Sequence, residues 1–337
     1  MNQQEKIVLD HGTGAKLSQD LIHRMTALLG NVHIGKMEDS AVLDISCNKI
    51  AMTTDSFVVS PVFFSNGDIG KIAVCGTVND LAVMGAKPLF ITLAMIIEEG
   101  FLIKDLEKII ISIRDTAREA GVKIVAGDTK VVARGEADKI FLNTSGLGIF
   151  ERPPLNIKNV RSGDKIILSG NIGDHSIHLL SIREGLGFEQ RIKSDCSSLN
   201  HIIDHLLSSN LAPAVASIRD VTRGGFSEIM HEYSQSTGHV IRCEEARLPI
   251  QAETRMAADM LGVDPIHLAN EGCLCLFVRP DLAEDIVSLL HEFEQTKNAV
   301  IVGEVSIESD KRVVMVQSNG DCHTLEQLIG AELPRLC

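Results

Sequence analysis

The chain has 337 residues, of which 45% are hydrophobic and 23% are charged, and this is enough apolar material to bury two ordinary cores. That composition excludes a disordered or fibrous protein. A net charge of −13 without a basic stripe argues against nucleic acid as a partner, although Mg²⁺ can bridge acidic residues to the polyphosphate of ATP.

Helix and strand patterns alternate along the first half of the chain, which predicts a domain of the α+β class. Two prolines in Glu151-Arg152-Pro153-Pro154 stop both helix and strand, so a linker is expected there. The predicted elements before it are a helix at 17–29, strands at 41–44 and 50–55, a helix at 70–84, a strand at 89–97, a helix from 106 to 117, and strands at 122–126 and 139–149.

The second half of the chain predicts a second α/β domain. Its expected elements are a strand at 165–169, helices at 176–183 and 199–207, a helix beginning at Gly224-Gly225, and strands at 273–278, 299–305 and 312–316. The last residues give no strong strand signal and predict a tail stiffened by Pro334. The expected organisation is a glycine-rich segment with its helix (1–36), a first domain (37–152), a second domain (153–320) and a tail (321–337).

Two further features bear on location and on thiol chemistry. The N-terminus lacks a signal-peptide pattern, and the longest apolar stretch is far shorter than the roughly 20 residues that cross a bilayer, so a cytoplasmic protein is expected. The eight cysteines lack the spacing of a metal cluster or a disulfide framework, and most are expected to be structural. Cys337 differs, because a thiol on a tail can visit several active sites; an incidental cysteine is the alternative.

A glycine loop, His11-Gly12-Thr13-Gly14-Ala15-Lys16, precedes the first predicted helix. The backbone N–H groups of Gly12 and Gly14 and the ammonium group of Lys16 would suit a phosphate. The loop matches neither the P-loop nor the full dinucleotide-binding pattern. An ordinary N-terminal turn is therefore the alternative to a phosphate site.

Oxygen-bearing side chains are expected at the ends of several apolar elements. Carboxylate and amide oxygens are the ligands that Mg²⁺ on a polyphosphate requires. Any one of them could instead cap a helix or close a turn, but as a set they favour a metal–polyphosphate site. The residues are Asp39, Asp55, Asn79, Asp80, Asp128 and Asp220.

Two motifs of the second half leave alternatives open. The segment Arg223-Gly224-Gly225 after Asp220 is either a phosphate-facing helix start or a tight packing turn. Glu271 is either a base near the substrate or a solvated turn carboxylate.

Taken together, these segments resemble the aminoimidazole-ribonucleotide synthetase (PurM-like) superfamily. They occur in the family's order and cover essentially the whole chain, and the final Pro334-Arg335-Leu336-Cys337 resembles the hydrogenase-maturation branch. The segments are 10–16, Met37-Glu38-Asp39-Ser40-Ala41, Thr54-Asp55-Ser56, 78–86, Gly127-Asp128-Thr129-Lys130, 220–225 and Asn270-Glu271-Gly272.

The resemblance implies a two-domain PurM-like fold, with a C-terminal α/β sandwich domain and a flexible C-terminal tail. It implies a homodimer whose N-terminal domains pair into a β-barrel, with ATP at that interface and Mg²⁺ as the metal. Asp55, Asp80 and Asp128 are then the expected metal ligands. The expected nucleotide-binding residues are Gly12, Gly14, Lys16, Asp39, Asn79, Asp220, Arg223, Gly224 and Gly225.

The resemblance also implies an enzyme, an ATP-dependent carbamoyl dehydratase. A carbamoyltransferase, HypF, would load Cys337, the thiocarbamate would become a thiocyanate, and the cyanide would pass to iron on a HypC–HypD scaffold complex during [NiFe]-hydrogenase maturation. Glu271 is the expected base, and Lys130 the expected phosphate or substrate anchor. The alternatives are a sister enzyme, such as selenophosphate synthetase or thiamine-phosphate kinase, and a non-catalytic adaptor that presents the tail.

Overall fold

A computed structural model of the protein describes residues 5–13, 16–34, 43, 45–47 and 49–328. These residues form two compact units. The first unit comprises the described residues up to 81 together with 86–151, and the second comprises 82–85 and 152–328. Two units are what the two-domain expectation requires.

A four-stranded mixed sheet organises the first unit. Its strand order is β1-β6-β4-β5, in which only β4 and β5 run parallel, and β2 pairs with β3 in a separate two-stranded ribbon. The helices are α1 (Lys16–Leu29), α2 (Ile69–Val83) and α3 (Ile103–Ala120), and the strands are β1 (Ile50–Phe57), β2 (Phe63–Phe64), β3 (Gly67–Asp68), β4 (Lys87–Glu98), β5 (Lys123–Val132) and β6 (Ile140–Ile149).

Helix α2 lies close against one face of this sheet for reasons visible in the sequence. Asp68 starts the helix by accepting hydrogen bonds from the N–H groups of Gly70 and Lys71, at 2.7 and 3.1 Å. Gly146 permits the close approach, because a Cβ at that position would lie 2.5 Å from the Cγ2 of Thr77. This face of the sheet, called the helix face below, is therefore the buried one.

The opposite face of the sheet is lined by polar side chains that bond across neighbouring strands. Asn143 donates from Nδ2 to the hydroxyl of Ser56 at 2.9 Å, and Ser145 donates from its hydroxyl to Thr54 at 3.2 Å. The side chain of Met52, further along β1, is 74% exposed in the first unit. We call this surface the open face.

A seven-stranded sheet organises the second unit, in the order β13-β12-β9-β11-β7-β10-β8, with only β9 and β12 parallel. Its strands are β7 (Lys165–Leu168), β8 (Val215–Asp220), β9 (Ile241–Glu244), β10 (Leu274–Val278), β11 (Val300–Val305), β12 (Val313–Val316) and β13 (Cys322–Leu325). Its helices are α4 (Asp174–Glu184), α5 (Asn200–Ser208), α6 (Gly225–Thr237), α7 (Ala252–Leu261) and α8 (Ala283–Leu290).

Apolar cores form on both faces of the second sheet, as a sandwich of this kind requires. One core joins Ile167 and Leu276 of the sheet to α5 and α8. The other joins Leu168 and Phe277 to α6, where the ring of Tyr233 stacks on Phe277 with centroids 3.9 Å apart. Alternate residues of one strand therefore pack into opposite cores.

Several sequence expectations need correction. The strand expected at 122–126 continues to Val132, because β5 is an edge strand whose later residues are polar. The expected tail contains β13, and the patterning missed β8, β9, α7 and α8. The strand expected at 41–44 lies mostly outside the described residues.

Among the described residues, no helix combines the length and the apolar character needed to cross a membrane.

Candidate functional site

Two of the expected metal ligands meet on the helix face of the first unit. Thr53 donates from its hydroxyl to Oδ2 of Asp80 at 2.7 Å, which ties α2 to β1. Asp55 lies on the same side of β1 as Thr53, and a Cβ built on Gly76, one helical turn before Asp80, would lie 3.8 Å from its Oδ2. The carboxylates of Asp55 and Asp80 are therefore neighbours. Asn79, which precedes Asp80 in the chain, is buried.

Asp128 and Lys130 form a second, separate pair on β5. The Nζ of Lys130 lies 3.9 Å from Oδ1 of Asp128, and both side chains are about two-thirds exposed, at 66% and 64%. Such an exposed pair contributes little to stability, because water screens both charges. It keeps an ammonium group and a carboxylate available at the sheet edge.

One protomer does not bring the three expected metal ligands together. Across the sheet, Asp55 is in register with Thr144, Leu93 and Gly127, whereas Asp128 is in register with Ala94 and Asn143, one residue further along. Asp128 therefore points to the open face and Asp55 to the helix face. Three strand spacings, about 14 Å, also separate β1 from β5. Among the described residues, no group of three or more His, Cys, Asp or Glu side chains could hold a metal ion.

The expected position of these acids at element ends is also wrong. Asp55 and Asp128 lie within β1 and β5, and Asp80 lies within α2. The apolar runs end before the elements do, since Asp55 and Asp80 are half-buried between β1 and α2 and Asp128 points to the open face. Of the described acids in the set, Asp220 is the one at a strand end.

The glycine loop reaches β5 beside Lys130. A Cβ at Gly12 would lie 2.9 Å from the backbone nitrogen of Val131, so a glycine is required for this approach. Lys16 is exposed in the first turn of α1. Three expected site residues, Gly14, Asp39 and Cys337, lie outside the described residues.

In the second unit, carboxylates converge at one end of the sheet. The antiparallel order places the end of β7, the start of β10 and the end of β8 side by side there, with Asp220 opposite Leu274. Glu271 precedes β10 and is only 7% exposed. The alternative that Glu271 is a solvated turn carboxylate is therefore excluded.

Asp195, which the sequence patterns did not single out, holds the segment around Glu271. Its Oδ1 accepts the N–H of Glu271 at 2.9 Å, and its Oδ2 accepts the N–H of Gly272 at 3.1 Å and Nδ2 of Asn270 at 2.8 Å. Asp195 stands in a polar loop, where an aspartate carries no distinguishing signal. Only the fold shows that its carboxylate meets residues 270–272.

The electrostatics of this end of the sheet are unusual. Burial raises the pKa of Asp195 to about 6, even though three donors oppose the shift and part of the residue reaches the surface; the charge of Asp174 adds to the rise. Burial also raises the pKa of Asp174, whose carboxylate accepts bonds from Thr254 and Gln251. Both acids are thus held in place by donors at an electrostatic cost.

The geometry at the start of α6 supports the interpretation of its two glycines as a tight packing turn. A Cβ at Gly225 would lie 2.6 Å from the carbonyl oxygen of Ile266, and Gly224 caps the helix with φ of 78°. Arg223 just before them is exposed. Close packing alone accounts for Gly225.

The chain leaves the second sheet along α6. After β13, the ring of His231 donates to the backbone carbonyl of Glu326, and Gln327 donates from Nε2 to Oε1 of Glu228 at 2.9 Å. Glu228 lies one turn nearer the start of α6 than His231. The chain therefore runs toward Gly225, which lies at the same end of the sheet as Glu271, because the N–H of Asn270 donates to the carbonyl of Val221.

Most of the described thiols are inert. Burial raises the pKa of Cys243 and of Cys273 to about 12 and holds that of Cys275 well above its usual range, and Cys75 and Cys196 are also buried. Among the described cysteines, Cys322 is exposed and Cys47 is half-buried.

Comparison with known proteins supports the family resemblance. Residues 37–150 match the N-terminal domain of AIR synthase related proteins, and residues 161–316 match the C-terminal domain of the same family. The carbamoyl dehydratase HypE of Escherichia coli K12 is 38% identical over 341 residues, which cover 98% of this chain and 99% of that protein.

Solved structures agree with this match. The crystal structure of the hydrogenase maturation protein HypE in complex with ATP superimposes with a TM-score of 0.92 at 37% identity, covering 98% of this chain and 99% of that one. A chain from the crystal structure of a HypE–HypF complex superimposes with a TM-score of 0.79 at 45% identity, covering 87% of this chain and 94% of that one. The expected two-domain PurM-like fold is thereby confirmed.

Proposed function

The chain belongs to the AIR synthase related family and, within it, groups with the HypE carbamoyl dehydratases; from this premise we propose that it dehydrates a carbamoyl group carried on Cys337. The product is a thiocyanate on the same sulfur, formed at the expense of ATP. We further propose that HypF supplies the carbamoyl group in the cytoplasm, and that a HypC–HypD scaffold receives the cyanide for hydrogenase iron. The HypE–HypF and HypE–ATP complexes of relatives support the first partner and the nucleotide.

The reaction needs ATP because the oxygen of a thiocarbamate, Cys–S–C(=O)–NH₂, is a poor leaving group. Attack of that oxygen on the γ-phosphate releases ADP and gives an O-phosphorylated imidate. Loss of the two N–H protons and of inorganic phosphate then gives Cys–S–C≡N. The protein must therefore anchor the phosphates and place a base beside the nitrogen.

The observation that carries the proposal is the location of Glu271. Its carboxylate belongs to a segment fixed by Asp195, and Glu271 is almost fully buried. A base works only within hydrogen-bond reach of the proton that it removes, so a fixed carboxylate suits the role. Lys130 is assigned to the phosphates, because its exposed side chain beside Asp128 at the sheet edge can reach a bound anion.

The direction of the chain beyond β13 supports the delivery of Cys337 to this base. Gln327 already lies on the first turns of α6, about 5 Å along the helix axis from Gly225. Nine residues, 329–337, follow the described chain, and an extended chain of that length spans about 30 Å. The thiol of Cys337 can therefore reach the end of the sheet that holds Glu271.

The first unit supplies the acidic side chains for Mg²⁺ on ATP. The carboxylates of Asp55 and Asp80 are neighbours between β1 and α2, which fits a hard divalent cation that retains several waters. When bound, Mg²⁺ would neutralise charge on the phosphates. Asp128 belongs to the other edge and the other face of the sheet, so a site that contains all three acids requires a second copy of the chain.

We accordingly propose a homodimer in which the first units pair edge to edge, with β5 of one copy beside β1 of the other, so that their open faces line one barrel. The exposed Met52 and the polar row of β1 and β6 on this face support such pairing, and paired edges would complete the barrel expected for the family. Asp39 and Gly14 remain proposed nucleotide-binding residues, as do Gly12, Lys16, Asn79, Asp220, Arg223, Gly224 and Gly225.

Intact-mass spectrometry of the protein incubated with the carbamoyltransferase, with and without ATP, tests the reaction. Without ATP, Cys337 should gain the mass of one carbamoyl group; with ATP, it should then lose the mass of one water. Glu271→Gln should stop after carbamoylation, and Lys130→Ala should slow ADP formation. Loss of water from the Glu271→Gln protein at the normal rate would remove Glu271 as the base.

Mixing two inactive variants tests the shared site. If Asp80 and Asp128 of different copies serve one ATP, an equal mixture of Asp80→Asn and Asp128→Asn chains regains about a quarter of wild-type turnover, because half of the random dimers contain one intact site. If both acids act from one chain, the mixture remains inactive. The same mixture of Asp80→Asn with Asp55→Asn serves as the control that should not regain activity.

The two other hypotheses predict different results. A thiamine-phosphate kinase would transfer the phosphoryl group to a small substrate without any mass change at Cys337. An adaptor would bind HypF but show no ATP turnover after carbamoylation. Identity of 38% over 98% of the chain to a HypE carbamoyl dehydratase favours the dehydratase.

A further inference from the structure

Residues 270–272 lead into the sheet but belong to no helix or strand. Three of their hydrogen-bond donors nevertheless bond to one carboxylate. Both oxygens of Asp195 are used, with two donors on Oδ2 and one on Oδ1, at 2.8 to 3.1 Å. The N–H of Ser197 closes the contact from the other side by donating to the carbonyl of Glu271. The backbone on both sides of the Glu271 side chain is therefore fixed from the 194–197 loop.

The backbones approach so closely that no side chain fits between them. A Cβ at Gly272 would lie 1.9 Å from the carbonyl oxygen of Asp195 and 2.6 Å from the Oγ of Ser197. Asn270 completes the arrangement, since its Nδ2 also donates to the carbonyl of Asn171 and its Oδ1 accepts the N–H of Gly173. We call this set of bonds between Asp195 and residues 270–272 the Asp195 clasp.

We propose that Asp195 is a positioning residue for the dehydration step, whose carboxylate, through the clasp, fixes the direction in which Glu271 presents its side chain. The inference rests on the proposed role of Glu271 as base. Two successive backbone N–H groups that point at one carboxylate form the type of cradle that elsewhere holds a bound anion, and here a side chain supplies that anion. A shift of about 1 Å in a reacting group can lower a rate by about a hundredfold, so the clasp matters for chemistry as well as for folding.

The charge on Asp195 makes the clasp sensitive to pH. The titratable groups around it are Asp174 on α4, Glu271, Cys273 and, through Ser194, His175, whose pKa burial lowers to about 3. His175 therefore stays neutral in the working range, and the Cys273 thiol stays protonated. With the pKa of Asp195 at about 6, the clasp is charge-assisted at neutral pH and loses that charge in mild acid.

Asp195→Asn is the informative change. An amide offers one oxygen where the carboxylate offers two, so in either orientation at least one donor of the clasp faces an NH₂ group. The matched control is Asp174→Asn, which removes a neighbouring buried carboxylate that bonds to Thr254, Gln251 and Asn171 but not to residues 270–272.

The experiment follows a single turnover of full-length protein that HypF has already carbamoylated, after addition of excess ATP, by intact mass across about pH 5 to 8. Asp195→Asn should lower the dehydration rate about 10- to 100-fold while ATP affinity and carbamoylation stay normal. It should also abolish the fall in rate that the wild type shows below about pH 6. Asp174→Asn should stay within about twofold of wild type and retain that fall.

The possible outcomes separate this inference from the proposed function. If Glu271→Gln is blocked but Asp195→Asn reacts at the wild-type rate, the positioning role is wrong and the base assignment stands. A slow Asp195→Asn protein whose rate still falls near pH 6 reveals a purely structural residue and also overturns the role. Normal dehydration by Glu271→Gln overturns both. Should Asp195→Asn not fold, Asp195→Glu, which keeps the charge but moves it by one methylene, must show a lower plateau with the acid limb retained.

Discussion

The carboxylates of the two units are arranged in opposite ways. In the first unit, Asp128 is largely exposed and lies on a different face and edge of the sheet from Asp55 and Asp80. In the second unit, donors enclose both Asp195 and Asp174, and Asp195 fixes the backbone around Glu271. The three acids of the first unit do not meet within one protomer, whereas those of the second unit bond to groups of the same protomer.

The difference agrees with the role that we propose for each group. Acids that bind Mg²⁺ on a nucleotide must stay ionised and accessible, so exposure at a sheet edge suits them. A base that removes N–H protons must be aimed at one atom, and a fixed backbone suits that task. Loss of the acids of the first unit should therefore change its free energy of unfolding little, whereas loss of Asp195 should change the position of Glu271 in the second unit.

The largest expected effect concerns the thiols. Cys337→Ala should abolish carbamoylation completely and leave ATP binding unchanged, because the buried thiols of Cys243, Cys273 and Cys275 have raised pKa values and form little thiolate. Intact mass after incubation with HypF measures this. Cys322→Ala, which removes the exposed thiol of β13, is the control and should load normally. A carbamoyl group on Cys322 would refute the carrier assignment.

The next effect tests the first unit. Asp80→Asn should lower ATP turnover by carbamoylated protein at least about 100-fold, since it removes one ligand charge at nearly constant volume. Its melting temperature should stay close to that of wild type, because the amide oxygen can still accept the hydroxyl of Thr53. Differential scanning calorimetry and an ADP-release assay give both values. A lower melting temperature at normal turnover would mean that Asp80 serves only to join α2 to β1.

The sequence predicted more of the helices than of the sheets. The amphipathic pattern of α1 and the apolar run of α2, each followed by a glycine near its end, were sufficient to predict these two helices. The edge strand β13, Cys322–Leu325, was missed because its exposed side chains carry no apolar alternation. The end of β5 was missed for the same reason, although it carries Asp128 and Lys130.

The site was predictable only where residues lie in one motif. Glu271 could be singled out because Asn270-Glu271-Gly272 matches a family segment. The glycine at 272 is required because a side chain there would collide with the backbone of Asp195. Asp195 could not be singled out, since its partners are 75 to 77 positions away and a polar loop gives no periodicity. The opposite orientations of Asp55 and Asp128 follow from strand register, which patterns of single residues do not contain.

A smaller effect concerns the pH dependence of stability in the second unit. Because the folded pKa of Asp195 is raised to about 6 above an unfolded value near 3.9, the folded state holds more protons between those values. The free energy of unfolding should therefore fall as pH rises from about 4 to 6 and level off above. This group accounts for at most about 3 kcal/mol of the fall. Urea unfolding across this range should show that the free energy of unfolding of Asp195→Asn falls less steeply with pH than that of the wild type. The fall that remains is attributed to Asp174, whose pKa is also raised. An unchanged dependence on pH would contradict the raised pKa of Asp195.

The smallest expected effect tests the route of the tail along α6. Gln327→Ala removes an exposed hydrogen bond to Glu228, which is worth about 0.5–1 kcal/mol, so dehydration should slow about two- to fivefold. Carbamoylation by HypF should be unaffected, because it takes place in another protein. Glu228→Ala should have the same effect, and the double variant should be no slower than either single one, since both remove one contact. Additive losses, or an equal loss in carbamoylation, would show that this contact does not guide the tail toward Glu271.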